Sequence, residues 1–513
     1  MFKNPVLPGF NPDPSICRVG DEYYLVTSTF AYFPGLPIYK SRDLVSWEQI
    51  GNVLDRPEQL DLDGAKSTDG LYAPSIRYNN GTFYVICTNM TRGGNFVVTA
   101  TDPKGPWSNP HFLKTDGIDP SLFFDDDGHA YYVGQRRTKE NRYSGDCEIY
   151  IQEFDTEELQ VKGEPTVVWD GALKNAVWAE GPRLYKMFGY YYLMIAEGGT
   201  RCYHSETMAR SRSLLGPYMP CMRNPILTHR HLGNDYPITS VGHADLVETQ
   251  NGEWWIFALG CRNIGKGGIN LGRETFLAKI DWDKDNWPLV NKGVGVIREL
   301  SPISPNLEPS PVANLPELDK FEYDKLPFYW LTARTPRDEF YKLTNPGLRL
   351  YAKKTYAADT QHFSFLARRM QHKNFTVKTA FMLQNISANE KAGLVLMQKN
   401  THYFEIAAGN GEISLTMVDN RNPTTVKREC KDGKIYLTVE VREHSYNFYY
   451  GYEENEKIVL AEDVDGAVLG TEYAVGYTGL VLGMFASSYG EESKAYADFE
   501  YFYYSGNDKT DKN

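Results

Sequence analysis

Three features of the sequence predict an all-β chain, a five-bladed β-propeller followed by a β-sandwich of the jelly-roll or lectin-like kind. They are a five-fold repeat within residues 1–305, a Pro-rich break after it, and a run of short strands from 321 to 505. At 513 residues the chain exceeds what one ordinary core supports, so at least two domains are expected.

The repeat is carried by aromatic pairs. "GDEYYLVTST", "NGTFYVICTN", "DGHAYYVGQ", "GYYYLMIAEG" and "NGEWWIFALG" each place two aromatics in an apolar strand after a Gly-containing turn, at 23/24, 83/84, 131/132, 191/192 and 254/255. Ten to twelve residues earlier stand "NPDPSI", "LYAPSI", "GIDPSL", "AEGPRL" and "VGHADL". Each unit therefore opens as a β-hairpin with room for two more strands, which makes it a propeller blade.

Residues 306–320 form the expected linker, within the stretch "SPISPNLEPSPVANLPELDKF" that lacks any period. Beyond it "FTVKTAFML", "AGLVLMQ", "YFEIAA", "EISLTMV" and "IYLTVEV" are short strands separated by turns, as in an antiparallel sandwich. Residues 506–513 are expected to be a disordered tail.

Bulk composition narrows the function. A net charge of −12 without a basic run argues against nucleic acid. No apolar stretch approaches the roughly 18 residues needed to span a bilayer, so no membrane partner is expected. Without an apolar leader the chain as given is expected to be cytoplasmic, or secreted or periplasmic if a signal peptide has been removed. Seven scattered cysteines without a C-x-x-C suggest reduced structural thiols, neither a disulfide framework nor a zinc site. An aromatic content of 14% suits a surface that stacks on sugars or bases. An oligomer is compatible with all of this.

In a propeller the first strand of each blade lines the axis, so equivalent repeat positions converge. Asp13, Tyr72, Asp119, Glu180 and His243 occupy such positions. Pro12 and Pro14 hold Asp13 on a stiff stretch biased toward extended geometry. Three converging carboxyls suit glycoside hydrolysis, which needs one protonated and one ionised acid at the same pH. They also leave open a calcium site, or a non-catalytic carbohydrate-binding propeller. Arg273 offers a planar fork for hydroxyls or for Asp13. Phe30, Tyr32 and Phe33, in "STFAYFPGLP", are placed to stack on a pentose. "DDDG" at 125–128 reads as a hairpin turn, and "GCRNIGKGGIN" at 260–270 as a mobile loop near the pocket.

The strings "NPDPSICRVGDEYYLVTS", "GIDPSLFFDDDG", "WAEGPRLYK", "GHADLVE" and "NLGRETFL" resemble those of glycoside hydrolase family 43, the inverting β-xylosidases and α-L-arabinofuranosidases, over essentially the whole chain. The resemblance implies that Asp13 is the general base, Glu180 the general acid and Asp119 the residue that orients Glu180 and tunes its proton affinity. It also places His243 and Arg273 in the substrate pocket. Tyr72 stands where many β-xylosidases of the family have Trp, which with "RPEQLDL" points toward the arabinofuranosidase branch.

The expected activity is exo-acting, inverting release of terminal α-L-arabinofuranosyl or β-D-xylosyl units from hemicellulose-derived oligosaccharides (arabinoxylan, arabinan, xylo-oligosaccharides). An endo-arabinanase is the alternative within the class. No cofactor is required on this reading, with a structural calcium ion in the propeller channel left open.

Overall fold

The computed structural model describes residues 1–508 other than 234, 265–267 and 388. Five antiparallel sheets follow one another along the chain, with inner strands Ser15–Val19, Ser75–Asn79, Ser121–Phe124, Glu180–Met187 and Ile238–Glu248; each has four strands, and the fourth adds a short fifth strand, Leu227–Thr228. These are blades 1 to 5 of the propeller. The aromatic pairs lie on the second strands, where both faces of a sheet are covered by neighbouring blades, so polar–apolar alternation gives way to continuous apolar runs.

Aromatic rings stitch every blade junction. Tyr24 meets Phe83, Tyr84 meets Phe124, Phe123 meets Tyr191, Tyr192 meets Trp282, and Phe257 meets Trp47 across the closing junction, all with centroids 5.1 to 6.1 Å apart. Tilted and edge-to-face pairs of this kind add about 0.5–1.5 kcal/mol beyond the area they bury. The repeat visible in the sequence is thus the contact that joins the blades.

Blades 1 and 5 share no strand. The N-terminal segment closes the ring instead: Val6 and Leu7 N–H donate to the Thr275 carbonyl, Asn4 bonds Leu277 in both directions, and Phe2–Lys3 pairs with Leu300–Ser301.

At the axis lies Asp245, fully buried. It accepts from Ser15 Oγ at 2.6 Å and Ile16 N–H at 3.1 Å on blade 1, from the Arg77 guanidinium at 2.8 and 3.2 Å on blade 2, and from Tyr185 Oη at 2.6 Å on blade 4. Arg183, also fully buried, stands 3.7 Å away and donates to the Pro74 carbonyl. Ser121 Oγ ties blade 3 to the Pro182 carbonyl at 2.7 Å.

The connecting stretch is laid against the propeller: Asn306 N–H donates to Glu253 and Ser310 N–H to Asp43. Leu318–Asp319, at its end, already pairs with the sandwich strand Tyr496–Gly506. The sandwich packs a six-stranded sheet on a larger one, with Leu394, Leu396, Phe404 and Ile406 facing Phe375, Phe381, Leu437 and Phe448. The expected tail begins later than read from the sequence. Gly506 closes a strand, and Asp508 accepts from Lys373 and Asn374 N–H, because these residues complete a sheet edge; 509–513 lie outside the described residues.

The other face of the six-stranded sheet covers the propeller, where Val395, Met397, Tyr403 and Phe485 pack on Phe10, Phe30 and Tyr32. Tyr32–Phe33 pairs with Thr332–Ala333, and buried Arg334 donates to the Ala65 carbonyl at 2.9 Å. Gly479 permits the closest approach, since a Cβ there would lie 2.2 Å from the Leu271 carbonyl oxygen.

Replacing Asp245 by Asn leaves the buried Arg183 and the half-buried Arg77 guanidinium uncompensated. The expected destabilisation is about 3–5 kcal/mol, measured as a lower melting temperature; an unchanged melting curve would count against the hub.

Candidate active site

Each blade delivers one site residue where its inner strand starts at the top of the axis. Asp13 precedes Ser15–Val19 by two residues, Asp119 precedes Ser121–Phe124 by two, Tyr72 precedes Ser75–Asn79 by three, and Glu180 is the first residue of its strand. His243 lies inside Ile238–Glu248, whose register shifts on both sides of Gly242 bring it level with the others. The Asp119 and Glu180 carboxylates and a His243 ring nitrogen lie within 4.8 Å of one another. His243 Nδ1 stands 3.8 Å from Asp13 Oδ1.

The backbone is strained at these points. Asp13, Asp119 and His243 have φ of 56°, 55° and 49°. The extended geometry expected before Pro14 is therefore not adopted at Asp13; the local preference is overridden by the hydrogen bonds that hold the carboxyl. Asp is among the non-Gly residues that tolerate the left-handed region, and such positions persist when the surroundings over-determine them. Gly181, next to the catalytic candidate Glu180, has φ 58°, and a Cβ on it would lie 2.7 Å from His243 Nε2. Glycine is required there for the histidine to seat.

The three carboxyls differ in environment. Burial alone would raise the Asp13 value, but the Arg273 guanidinium at 2.9 Å, His243 and a short hydrogen bond from Ser28 Oγ outweigh it and hold the carboxyl below its usual range. Asp119 is pushed up to about 7 by burial and the Asp13 charge, against Arg183 and Arg273. Glu180 is pushed well above the ordinary carboxyl value by burial, then by Asp119 and Asp13. Burial drives His243 down to about 3 and His204 to about 4, so both rings are neutral near pH 7. One carboxylate is thus kept ionised and one carboxylic acid kept protonated in the same pocket.

Asp119, Glu180 and His243 are the one cluster of metal-ligand type found among the described residues. A calcium ion takes about six to eight oxygens, whereas this set offers two carboxyls and an imidazole, with the Arg183 guanidinium acting on Asp119 and His243 from below. The donor set does not fit calcium.

Arg273 Nη1 bridges Asp13 and Thr200 Oγ1, and its Nε donates to the Tyr477 carbonyl at 3.2 Å. Its guanidinium lies over the rings of Phe30 and Tyr477, 5.4 and 5.5 Å from their centroids. Phe30, Tyr72 and Tyr477 form one aromatic cluster beside it, with centroids 5.4 to 6.5 Å apart.

Two expected stacking residues are misplaced by the sequence reading. Tyr32 is 2% exposed among Phe10, Leu331 and Phe365, and Phe33 sits in the blade 1–2 core, because the strand Tyr32–Phe33 joins the propeller to the sandwich and leaves neither ring facing the pocket. Tyr477 was invisible in the sequence. It is distant from every repeat, and only the Gly- and Thr-rich "GTEYAVGYTG" marks an interruption in the strand pattern.

"DDDG" forms the expected hairpin turn, with the Asp125 carboxylate clamped by Lys186 and Tyr191 of blade 4. In "GCRNIGKGGIN", residues 260–262 close a strand and Ile264, Ile269 and Asn270 are buried; 265–267 lie outside the described residues. The described part is fastened to the sandwich by Asn270 and Ile269, which the sequence could not show.

The model for glycosyl hydrolases family 43 matches residues 2–288, and that for the beta xylosidase C-terminal concanavalin A-like domain matches 318–505. A xylosidase/arabinosidase of Butyrivibrio fibrisolvens is 43% identical over 98% of this chain and 99% of its own. A non-reducing end alpha-L-arabinofuranosidase of Bacteroides ovatus is 39% identical over 98% and 94%. The crystal structure of a xylan beta-1,4-xylosidase from Bacillus halodurans superposes with a TM-score of 0.92 at 33% identity, covering 98% of this chain and all of that one.

The raised Glu180 value carries a stability signature. An unfolded Glu titrates near about 4.3, so the native proton contributes fully below that pH and its contribution is lost as pH rises toward the folded value. Glu180→Gln lacks this loss. Its melting temperature is expected to match wild type near pH 4 and to exceed it increasingly toward pH 8; parallel curves at both pH values would refute the buried acid.

Proposed function

The chain belongs to the glycosyl hydrolases of family 43, and from that membership we propose that its propeller removes single α-L-arabinofuranosyl or β-D-xylosyl units from the non-reducing ends of hemicellulose-derived oligosaccharides. It is an inverting glycosidase. The observation that carries the assignment of roles is the opposite proton affinity of Asp13 and Glu180 in one pocket.

Asp13, ionised beside Arg273, accepts a proton from the water that attacks the anomeric carbon. Glu180 gives its proton to the glycosidic oxygen as the old carbon–oxygen bond breaks. The new bond forms on the face opposite the leaving group, so the sugar departs with inverted configuration. Asp119 does not exchange a proton with substrate on this reading; its charge keeps Glu180 protonated. Neutral His243 bonds a hydroxyl, while Tyr72 and Tyr477 wall the sugar and Phe30, 2% exposed, packs behind them. Exo action is supported by Tyr477, which reaches from the sandwich to the propeller mouth beside Arg273. Tyr72, smaller than the Trp common in β-xylosidases of the family, favours the arabinofuranosyl ring, and the first relative above carries both activities in its name.

The test is hydrolysis of 4-nitrophenyl α-L-arabinofuranoside and β-D-xyloside. Asp13→Ala is expected to lose about a hundred- to ten-thousandfold on both. Glu180→Ala is expected to lose less on these good leaving groups than on xylobiose or arabinobiose, whose alcohols need protonation. Equal losses on both substrate types, or no turnover by wild type, would overturn the acid assignment or the activity.

Asp119→Asn removes the charge that raises Glu180 while tolerating the left-handed backbone. The alkaline limb of kcat/KM is expected to move to lower pH with the acid limb, set by Asp13, moving less. An unmoved alkaline limb would refute the tuning role.

A further inference from the structure

A second polar recess lies on the face of the six-stranded sandwich sheet that turns toward the propeller, and none of its lining residues belongs to the propeller. Along this sheet Val395, Met397 and Tyr403 are covered by the propeller. The same face also carries Glu405 and Gly409 on one strand, Ser414 and Thr416 on the next, and Lys391 on a third. Gly409 and Ser414 leave a trough of about 540 Å³ between taller neighbours. That volume falls within the about 300–1,000 Å³ typical of small-molecule clefts.

Glu405 makes the trough unusual. It is 5% exposed, yet no cation pairs with it among the described residues. Its Oε1 accepts from Tyr489 Oη at 2.5 Å, and its side chain lines the trough. Burial pushes it up to about 7, against the Tyr489 hydrogen bond and Lys391, so it can accept or donate near neutral pH. Around it stand Lys391 Nζ, which spends two donors on Glu412 and Ser414, and the Thr416 hydroxyl. Tyr489, tilted against Tyr356 with centroids 5.3 Å apart, forms one wall.

We propose that this trough is a second carbohydrate site, in which Glu405, Lys391 and Thr416 bond the hydroxyls of a neutral pentose chain whose ring lies against Tyr489. The local charges nearly cancel, with Lys391 and Lys427 set against Glu412 and Glu405, which suits a neutral, hydroxyl-rich ligand better than an ion. The pentose class rests on the pentosidase reading above. A chain held there is tethered to the enzyme while the propeller trims its ends, raising the local concentration of substrate.

The experiment uses the full chain in an inactive Glu180→Gln background, with L-arabinose and D-xylose saturating the propeller pocket. Binding of xylohexaose is followed by calorimetry, and binding of soluble arabinoxylan by retardation in native gels. Binding is expected to persist under saturation and to weaken by about tenfold or more in Glu405→Ala and in Lys391→Met, each losing a hydrogen bond to a charged group.

Lys391→Met spares the buried Glu405–Tyr489 pair, so it decides the matter if Glu405→Ala fails to fold. In the otherwise wild-type enzyme both substitutions should leave kcat/KM for 4-nitrophenyl pentosides unchanged while lowering it for arabinoxylan. Undiminished binding in Lys391→Met, or no binding once the propeller pocket is saturated, overturns the second site. If retardation depends on Glu405 and Lys391 while wild type hydrolyses no pentoside, the trough stands and the pentosidase reading falls.

Discussion

A single buried carboxylate, Asp245, organises the centre of this molecule. It satisfies groups from blades 1, 2 and 4 while belonging to blade 5, and each partner sits on an inner strand two to five residues from a site residue. Asp13 and Ser15 share one strand entry, Tyr72 is followed by Pro74 and Arg77, Asp119 by Ser121, Glu180 by Pro182 and Arg183, and His243 by Asp245 itself. The hydrogen bonds among the second members of these pairs fix the strand starts, and the strand starts carry the first members. Positive φ at Asp13, Asp119 and His243 is tolerable because the network one step below leaves the backbone no alternative.

The same layering separates the proton affinities. Three carboxyls within one desolvated pocket would all tend to hold protons. Arg273 and Ser28 donate hydrogen bonds to Asp13, whereas Glu180 is buried beside two acids with only the Arg273 charge opposing them. Arg183 pairs with the hub below and acts on Asp119 from there, so the hub also contributes to the electrostatics of the site. Geometry and acidity therefore have a common origin in how charges are distributed between two layers of the axis.

The sandwich is part of the enzyme's architecture and not an appendage on a flexible tether. Its sheet covers Phe10, Phe30 and Tyr32, its Tyr477 reaches Arg273, and its Gly466 and Glu472 bond the blade 5 segment at Asn270 and Ile269. One sheet face does two things: part of it buttresses the propeller mouth, and part keeps a polar trough lined by the buried Glu405.

The blade number, the strand order within each blade and the five axial positions were legible in the sequence because a propeller repeats one local pattern. Aromatic pairs mark second strands, and counting back ten to twelve residues from them reaches the axis in every blade, including blades 4 and 5, whose inner ladders carry register shifts. What the repeat cannot encode is contact between its units and the rest of the chain. Tyr32 looked like a stacking residue and is consumed by the domain interface, while Tyr477, some 200 residues beyond the last blade motif, stands in the site. The proton affinities of the three acids were likewise undecided until burial and the direction of each guanidinium were known. By itself the sequence determined the elements and which residue types meet at the axis, since these follow from local periodicity. Only the tertiary structure decided which acid is ionised, which rings face the pocket and where the sandwich touches it, since desolvation and charge pairing depend on neighbours that are distant in the chain.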